Sequence, residues 1–272
     1  IIFNKLCFLF NSILIKRTVI NKIKNSNSEE LFKSAIEYHK KNDLQTAEYF
    51  YNKILRIDSK QVGTLNNLGA LYQTLGNNEK AKTSYKKIIE INPNNADAHY
   101  NLGNLFKELK DNEKAKICYE KVIEIDPKYL NAYNNLGNLF KELKDNEKAK
   151  ICYKKIIEIN PNYLGAYLNL GTIFNESKEY DHAMNCYHKV IKINPNFADA
   201  HYNLGVLLQS LGNNHDAKSF YERALKLDST NKEYASGYGK LLLKLNEHAK
   251  GLKFITEGQG AIVFNQSNLE II

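Results

Sequence analysis

The chain has no tryptophan, one methionine, four prolines and four cysteines in 272 residues. Four cysteines in a chain of this length do not make a disulfide framework of the small secreted kind. No His-Glu-x-x-His, phosphate-cradling loop or Gly-x-Ser-x-Gly is present, so the common metal, nucleotide and hydrolase signatures are missing. Acid is absent over a whole segment: 1–28 holds Lys5, Lys16, Arg17, Lys22 and Lys24 and no Asp or Glu. That segment carries five of the eight net positive charges. The rest interleaves acids with bases, without the clustered, uncompensated cations of a phosphate-binding surface, so no nucleic-acid partner is expected. What is plentiful is apolar and aromatic: 43% hydrophobic residues and 18 tyrosines, enough for a buried core. The composition is neither disordered nor collagen-like.

The order of these residues is periodic. Gly69, Gly103, Gly137, Gly171, Gly205 and Gly239 stand 34 apart, and Ala35 lies 34 before the first. Ala47, Ala81, Ala115, Ala149, Ala183 and Ala217 form a second ladder, and Tyr51, Tyr85, Tyr119, Tyr153, Tyr187 and Tyr221 a third. All the prolines (Pro93, Pro127, Pro161, Pro195) form a fourth. One 19-residue stretch, Asn101–Tyr119, recurs unchanged at Asn135–Tyr153. Within a period, Leu102, Leu105, Phe106 and Leu109 make one helical stripe, and Ala115, Tyr119, Val122 and Ile123 make another. Lys110, Asp111 and Asn112 are the turn between them, and Asp126-Pro127 ends the second helix, because proline cannot continue it. Gly and Ala at fixed places let paired helices approach, with a Tyr or Phe filling the space beside them.

Leu-Gly-x-x-Phe, then Ala, Tyr and Pro on this period resembles the tetratricopeptide repeat. The resemblance implies an all-α fold, a right-handed α-α superhelix (solenoid) of antiparallel helix pairs. Seven repeats are counted: 28–61, 62–95, 96–129, 130–163, 164–197, 198–231 and 232–265, with 266–272 as a tail. The last departs most: Gly251 stands for the ladder Ala, Ile255 for the Tyr, and no proline follows, as suits a capping repeat.

In this family the first helix of each pair looks into a concave groove. The resemblance therefore implies a peptide-binding face of Asn67, Asn101, Asn135, Asn169 and Asn203 before each Leu-Gly. Asn104 and Asn138 follow the Gly, with Tyr100, Tyr202, Lys107 and Lys141 beside them. Such a face is mostly neutral amide, able to pair with the backbone of an extended partner segment, with tyrosines for apolar contact. This run of Asn-Leu-Gly looks like the asparagine ladder in the repeat arms of O-linked N-acetylglucosamine transferases. The clamp that co-chaperone repeats place on acidic chaperone tails needs Lys and Arg at positions held here by Asn66, Tyr100, Asn134, Asn131 with Asn135, and Gly165 with Asn169. No acidic-tail clamp is expected.

The expected function is thus a protein-protein interaction scaffold, and the alternatives are a substrate-presenting arm of a larger, glycosyltransferase-like enzyme or a membrane-tethered assembly factor. Neither catalysis, cofactor nor metal is expected. Cys118, Cys152 and Cys186 recur at one place in the second helix, where spacing of about 10 Å between packed helices forbids a shared zinc or a disulfide. They read as small core-edge residues, and reduced thiols fit a cytoplasmic location. His99 and His201 occupy the family's aromatic slot, and Gly258-Gln259-Gly260 reads as helix termination. Because the chain begins on Ile, a fragment or processed form is expected. Residues 1–27 read as a capping helix, as an interfacial helix or membrane anchor through 1–20, or as a basic targeting segment.

Overall fold

The computed structural model describes residues 28–259, 262–264 and 269–271. The expectations for 1–27 fall outside the described residues. Among the described residues fourteen helices follow one another: α1 Ser28–Lys40, α2 Leu44–Ile57, α3 Val62–Thr74, α4 Asn78–Ile91, α5 Ala96–Glu108, α6 Asn112–Ile125, α7 Leu130–Glu142, α8 Asn146–Ile159, α9 Leu164–Glu176, α10 Tyr180–Ile193, α11 Ala198–Ser210, α12 Asn214–Leu227, α13 Lys232–Lys244 and α14 His248–Gln259. The expected all-α class of helix pairs holds, two helices to each 34-residue repeat. One addition was not foreseen. Ile262–Phe264 (β1) and Leu269–Ile271 (β2) pair antiparallel, Val263 opposite Glu270. The chain divides between Ala132 and Tyr133 into two compact units. In the first, α1 to α6 pack each on the next. In the second, α8 to α14 do the same, and the first helices α9, α11 and α13 also touch one another.

The punctuation of each repeat has local causes. Asp43, Asn77, Asp111, Asp145 and Asn213 cap the second helices by accepting a backbone N–H three residues on, as small polar side chains do at helix starts. Asn92, Asp126, Asn160 and Asn194, each before a proline, leave the helix in extended backbone. Between the two helices of each repeat the chain turns through the left-handed region. Asn42, Gly76, Lys110, Lys144, Lys178, Gly212 and Asn246 take φ of 60° to 81°. A lysine there is strained where glycine is not. Lys178→Gly is expected to raise stability by about 0.5–1 kcal/mol, the relief of strain less glycine's extra unfolded entropy. A rise in the midpoint of urea unfolding would show it.

The glycine and tyrosine ladders meet. A Cβ built on Gly103 would lie 2.8 Å from Tyr119 Cε1, and one on Gly171 2.6 Å from Tyr187 Cε1. Gly69, Gly137 and Gly205 face Tyr85, Tyr153 and Tyr221 in the same way. All six ladder tyrosines are buried, among the largest fully buried side chains of the protein. The last repeat departs from the ladder by compensation. Ile255 is smaller than Tyr, the helices close in, and a Cβ on Gly239 would meet the Gly251 carbonyl oxygen at 2.8 Å, while one on Gly251 would meet that of Gly239 at 2.9 Å. Substituting Tyr by Ile and Ala by Gly are therefore two halves of one change.

A second device joins neighbouring repeats inside the second unit. Buried Lys150 on α8 reaches Glu179 at 2.6 Å and Glu147 at 3.0 Å, with its ammonium 5.1 Å from the centre of the Phe174 ring. Glu179 stands where an N-cap would, makes no capping bond, and serves the lysine instead. Two repeats later Lys218 and Glu247 make the same joint at 2.5 Å.

Candidate functional site

All eleven residues expected on the peptide-binding face lie on first helices, and each is half-buried. Asn67 is on α3; Tyr100, Asn101, Asn104 and Lys107 on α5; Asn135, Asn138 and Lys141 on α7; Asn169 on α9; Tyr202 and Asn203 on α11. The structure does not leave this polar row to solvent alone. Asn101 donates from Nδ2 to Asn66 Oδ1 at 2.8 Å, bridging α5 to α3. Tyr100 packs on Tyr119 and Tyr129, ring centres 6.0 and 5.2 Å apart, and Tyr202 on Tyr221 and Tyr234 at 5.5 and 4.9 Å.

The row also answers a need of the core. Each ladder tyrosine buries its ring behind the small residue of the first helix and brings its hydroxyl up into the polar layer, where a buried O–H must find a partner. Two positions take turns in supplying it. Where the residue after the small one is polar, it is the partner: Tyr119 donates to Asn104 Oδ1 at 2.9 Å, Tyr153 to Asn138 Oδ1 at 2.7 Å, and Tyr187 bonds Thr172. Where that residue is Ile36, Ala70 or Val206, the partner sits one helical turn further on. Tyr85 donates to Gln73 Oε1 at 2.6 Å and Tyr221 to Gln209 Oε1 at 2.8 Å, while Tyr51 meets His39 Nδ1 at 3.3 Å. Tyr51 also bonds Asn67. In the last repeat Ile255 has no hydroxyl, and the two positions hold Lys240 and Leu243. Asn67, Asn104 and Asn138 are therefore part of the tyrosine layer as well as of the face. The sequence does not reveal this second role, because one acceptor role spread over two alternating positions leaves no single-column signal.

Burial of the ladder shows in its acidity. Desolvation pushes the Tyr85 and Tyr187 phenols up to about 12, and moves Tyr51, Tyr153 and Tyr221 upward as well. Cys118, Cys152 and Cys186 are buried and in no disulfide, and burial holds Cys118 and Cys186 up at about 11, as inert thiols. His99 and His201 each bring Nε2 to 2.9 Å from a loop carbonyl, of Pro93 and Pro195, so they pin their helices to the preceding loop. Among the described residues no three His, Cys, Asp or Glu side chains are grouped to hold a metal ion. No described helix is long and apolar enough to cross a membrane.

One concavity opens on this face within the second unit. A cavity of about 480 Å³ lies between α11, α12 and α13, walled by Tyr202, Gln209 and Tyr221 on one side and Lys232, Ser236 and Lys240 on the other. α13's share of it has no sequence signal, since isolated lysines on a helix look like an ordinary solvated face.

Repeated helix pairs with a small-residue and tyrosine interlock define an α-helical repeat superhelix. Two models of one repeat match this chain: the tetratricopeptide repeat at 96–129, 130–163 and 198–231, and the TPR repeat at 74–110 and 171–212. Together they cover more than half of its length, and the chain belongs to the tetratricopeptide repeat family. Its fold is similar to that of a tetratricopeptide repeat protein from Parabacteroides merdae, with a TM-score of 0.66 at 21% identity over 88% of this chain and 94% of the other. It is similar to MamA, with a TM-score of 0.55 at 27% identity over 59% of this chain and 94% of that one. YrrB, described as a TPR protein with an unusual peptide-binding site, aligns with a TM-score of 0.57 at 21% identity over 72% of this chain and 97% of its own. No curated protein matches the chain. Proteins of this repeat bind protein or peptide partners.

Proposed function

We propose that the protein is an interaction scaffold that holds extended segments of partner proteins in the groove lined by its first helices. The observation that carries this reading is the half-buried amide row. An asparagine that already satisfies one neighbour keeps further donor and acceptor capacity. Its amide is also held in place by that neighbour, so less side-chain entropy is lost when a ligand binds. Amides spaced along successive first helices within one unit suit a partner's backbone, whatever its side chains, and Tyr100 in the first unit and Tyr202 in the second each add flat apolar contact there. The unusual peptide-binding site of YrrB is in keeping with this use of the fold.

Asn135, Asn169 and Asn203 are the residues to change, because Asn104 and Asn138 also serve the core. Replacing the three with Ala is expected to weaken capture of partner proteins by about tenfold to a thousandfold, at roughly 0.5–1.5 kcal/mol per hydrogen bond lost. Circular dichroism checks that the helices persist. Pull-downs that match the wild-type chain would remove the amide row from binding.

A further inference from the structure

The cavity between α11, α12 and α13 differs in charge from the rest of the face. Lys232, Ser236 and Lys240 stand four apart on α13, which puts them on one side of that helix. Among the described residues neither lysine has a carboxylate within ion-pairing distance, and both are exposed. Glu233 also lines the cavity and pairs with neither, so one net positive charge remains. Lys232 opens α13, where the positive end of the helix dipole repels a cation, and no other described helix begins with a lysine. Lys240 occupies the position that Asn104, Asn138 and Thr172 give to a tyrosine hydroxyl. Here Ile255 makes no such demand, and the side chain is left for something else.

The remaining walls are built to receive an ordered ligand. Gln209 accepts from Tyr221 at 2.8 Å, which fixes its carbonyl inward and leaves the amide N–H groups to the cavity. Gly237 lets the Tyr202 ring lie against α13: a Cβ there would sit 2.7 Å from Tyr202 Cε2. Tyr202 in turn stacks on Tyr234, whose hydroxyl is held by Asp199.

We infer that this cavity is the acidic-side-chain subsite of the peptide-binding face: it seats an extended segment that carries two carboxylates, one on Lys232 and one on Lys240. The inference rests on the scaffold reading above. The spacing sets the ligand. Eight residues of helix separate the lysines by about 12 Å. In an extended chain, residues on one side recur every two, about 6.8 Å apart, so the pair matched is four residues apart. Between them the segment crosses Ser236 and the Tyr202 ring. These lysines are not at the positions of the acidic-tail clamp, which Asn, Tyr and Gly165 hold in this chain.

The test uses the full chain and three fluorescein-labelled decapeptides of Ser, Gly and Ala. One carries two Glu four residues apart, one two Gln, and one two Lys. Anisotropy titrations at low salt are expected to show the Glu peptide binding about fivefold tighter than the Gln peptide, the product of two exposed ion pairs. The Lys peptide should bind weakest, and the preference should shrink as salt rises. Lys232→Gln with Lys240→Gln is expected to make the Glu and Gln peptides equal. Asn169→Ala with Asn203→Ala should weaken both while keeping their ratio. A ratio that persists in the lysine variant, equal binding by the wild-type chain, or no binding of the Glu peptide overturns the subsite. So does displacement of that peptide by inorganic phosphate at equal concentration, which would assign the lysines to small anions. If the ratio holds and the asparagine variant changes nothing, the amide row fails and the acidic subsite stands.

Discussion

Raising the pH from about 10 to 12 is expected to unfold the helices cooperatively, with tyrosinate absorbance appearing in the same step. The cause is the ladder. In the folded chain Tyr85 and Tyr187 are pushed up to about 12 by desolvation, and Tyr51, Tyr153 and Tyr221 move in the same direction for the same reason. The unfolded chain returns each to about 10. Between those values the unfolded state has released protons that the folded state still holds, so stability falls as pH rises. Below pH 10 the contribution is fully present. Buried Cys118 and Cys186, pushed up to about 11, act in the same sense. So does Lys150, whose pKa Glu179 raises.

The magnitude decides the outcome. Discounted for solvent screening, Tyr85 and Tyr187 each withdraw on the order of 1–2 kcal/mol at pH 12. With Tyr51, Tyr153 and Tyr221 shifted in the same direction, the ladder removes a large share of the roughly 5–15 kcal/mol that holds an ordinary domain together. Far-ultraviolet circular dichroism and tyrosinate absorbance, followed together, check this. Phenols titrating near pH 10 with helicity intact to pH 12 would show that the hydroxyl layer is open to water. Replacing Tyr85 with Phe removes one titrating group, and the alkaline midpoint should move up.

Much of this architecture is legible in the residue order, because the repeat makes each position testable six or seven times. Gly103 and Tyr119 recur together, and a glycine inside a helix has few reasons to persist except a close neighbour. The prolines mark four of the helix ends, and Asp111 and its equivalents mark the starts. The last repeat is harder. Gly251 and Ile255 look like decay until the backbones of Gly239 and Gly251 are seen in contact. The short ribbon of β1 and β2 gives three residues per strand, too few for alternation to register. That Asn104 and Asn138 stand on first helices was legible, but their bonds to the tyrosine layer were not. Asn104 and Gln73 do the same work from different positions, and only the tyrosine hydroxyl that reaches each reveals it. Lys232 and Lys240 became noticeable through the hydroxyl that Ile255 lacks, not through any motif of their own.

The close approach of Gly171 to Tyr187 predicts a coupled loss rather than two separate ones. Gly171→Ala is expected to cost about 1–3 kcal/mol, because its Cβ would meet Tyr187 Cε1 at 2.6 Å and Cys186 Cβ at 3.1 Å in a site with no slack. Better helix propensity returns up to about 1 kcal/mol of that. Tyr187→Ala empties the largest fully buried side chain of its repeat and is expected to cost about 3–5 kcal/mol. In the Tyr187→Ala background the methyl that Gly171→Ala adds has a void to enter. The double variant should then be at least as stable as Tyr187→Ala alone, a coupling of about 1–3 kcal/mol. Tyr187→Phe separates ring from hydroxyl. It keeps the clash with Gly171→Ala, loses only the bond to Thr172, and should cost about 1 kcal/mol. Urea unfolding followed by circular dichroism reads all five chains, with a constant slope required for the comparison. Additive losses in the cycle would mean that the glycine ladder answers to the helix backbone and not to the tyrosine. The compensated pair in the last repeat, where Ile255 faces Gly239 and Gly251, argues for the tyrosine.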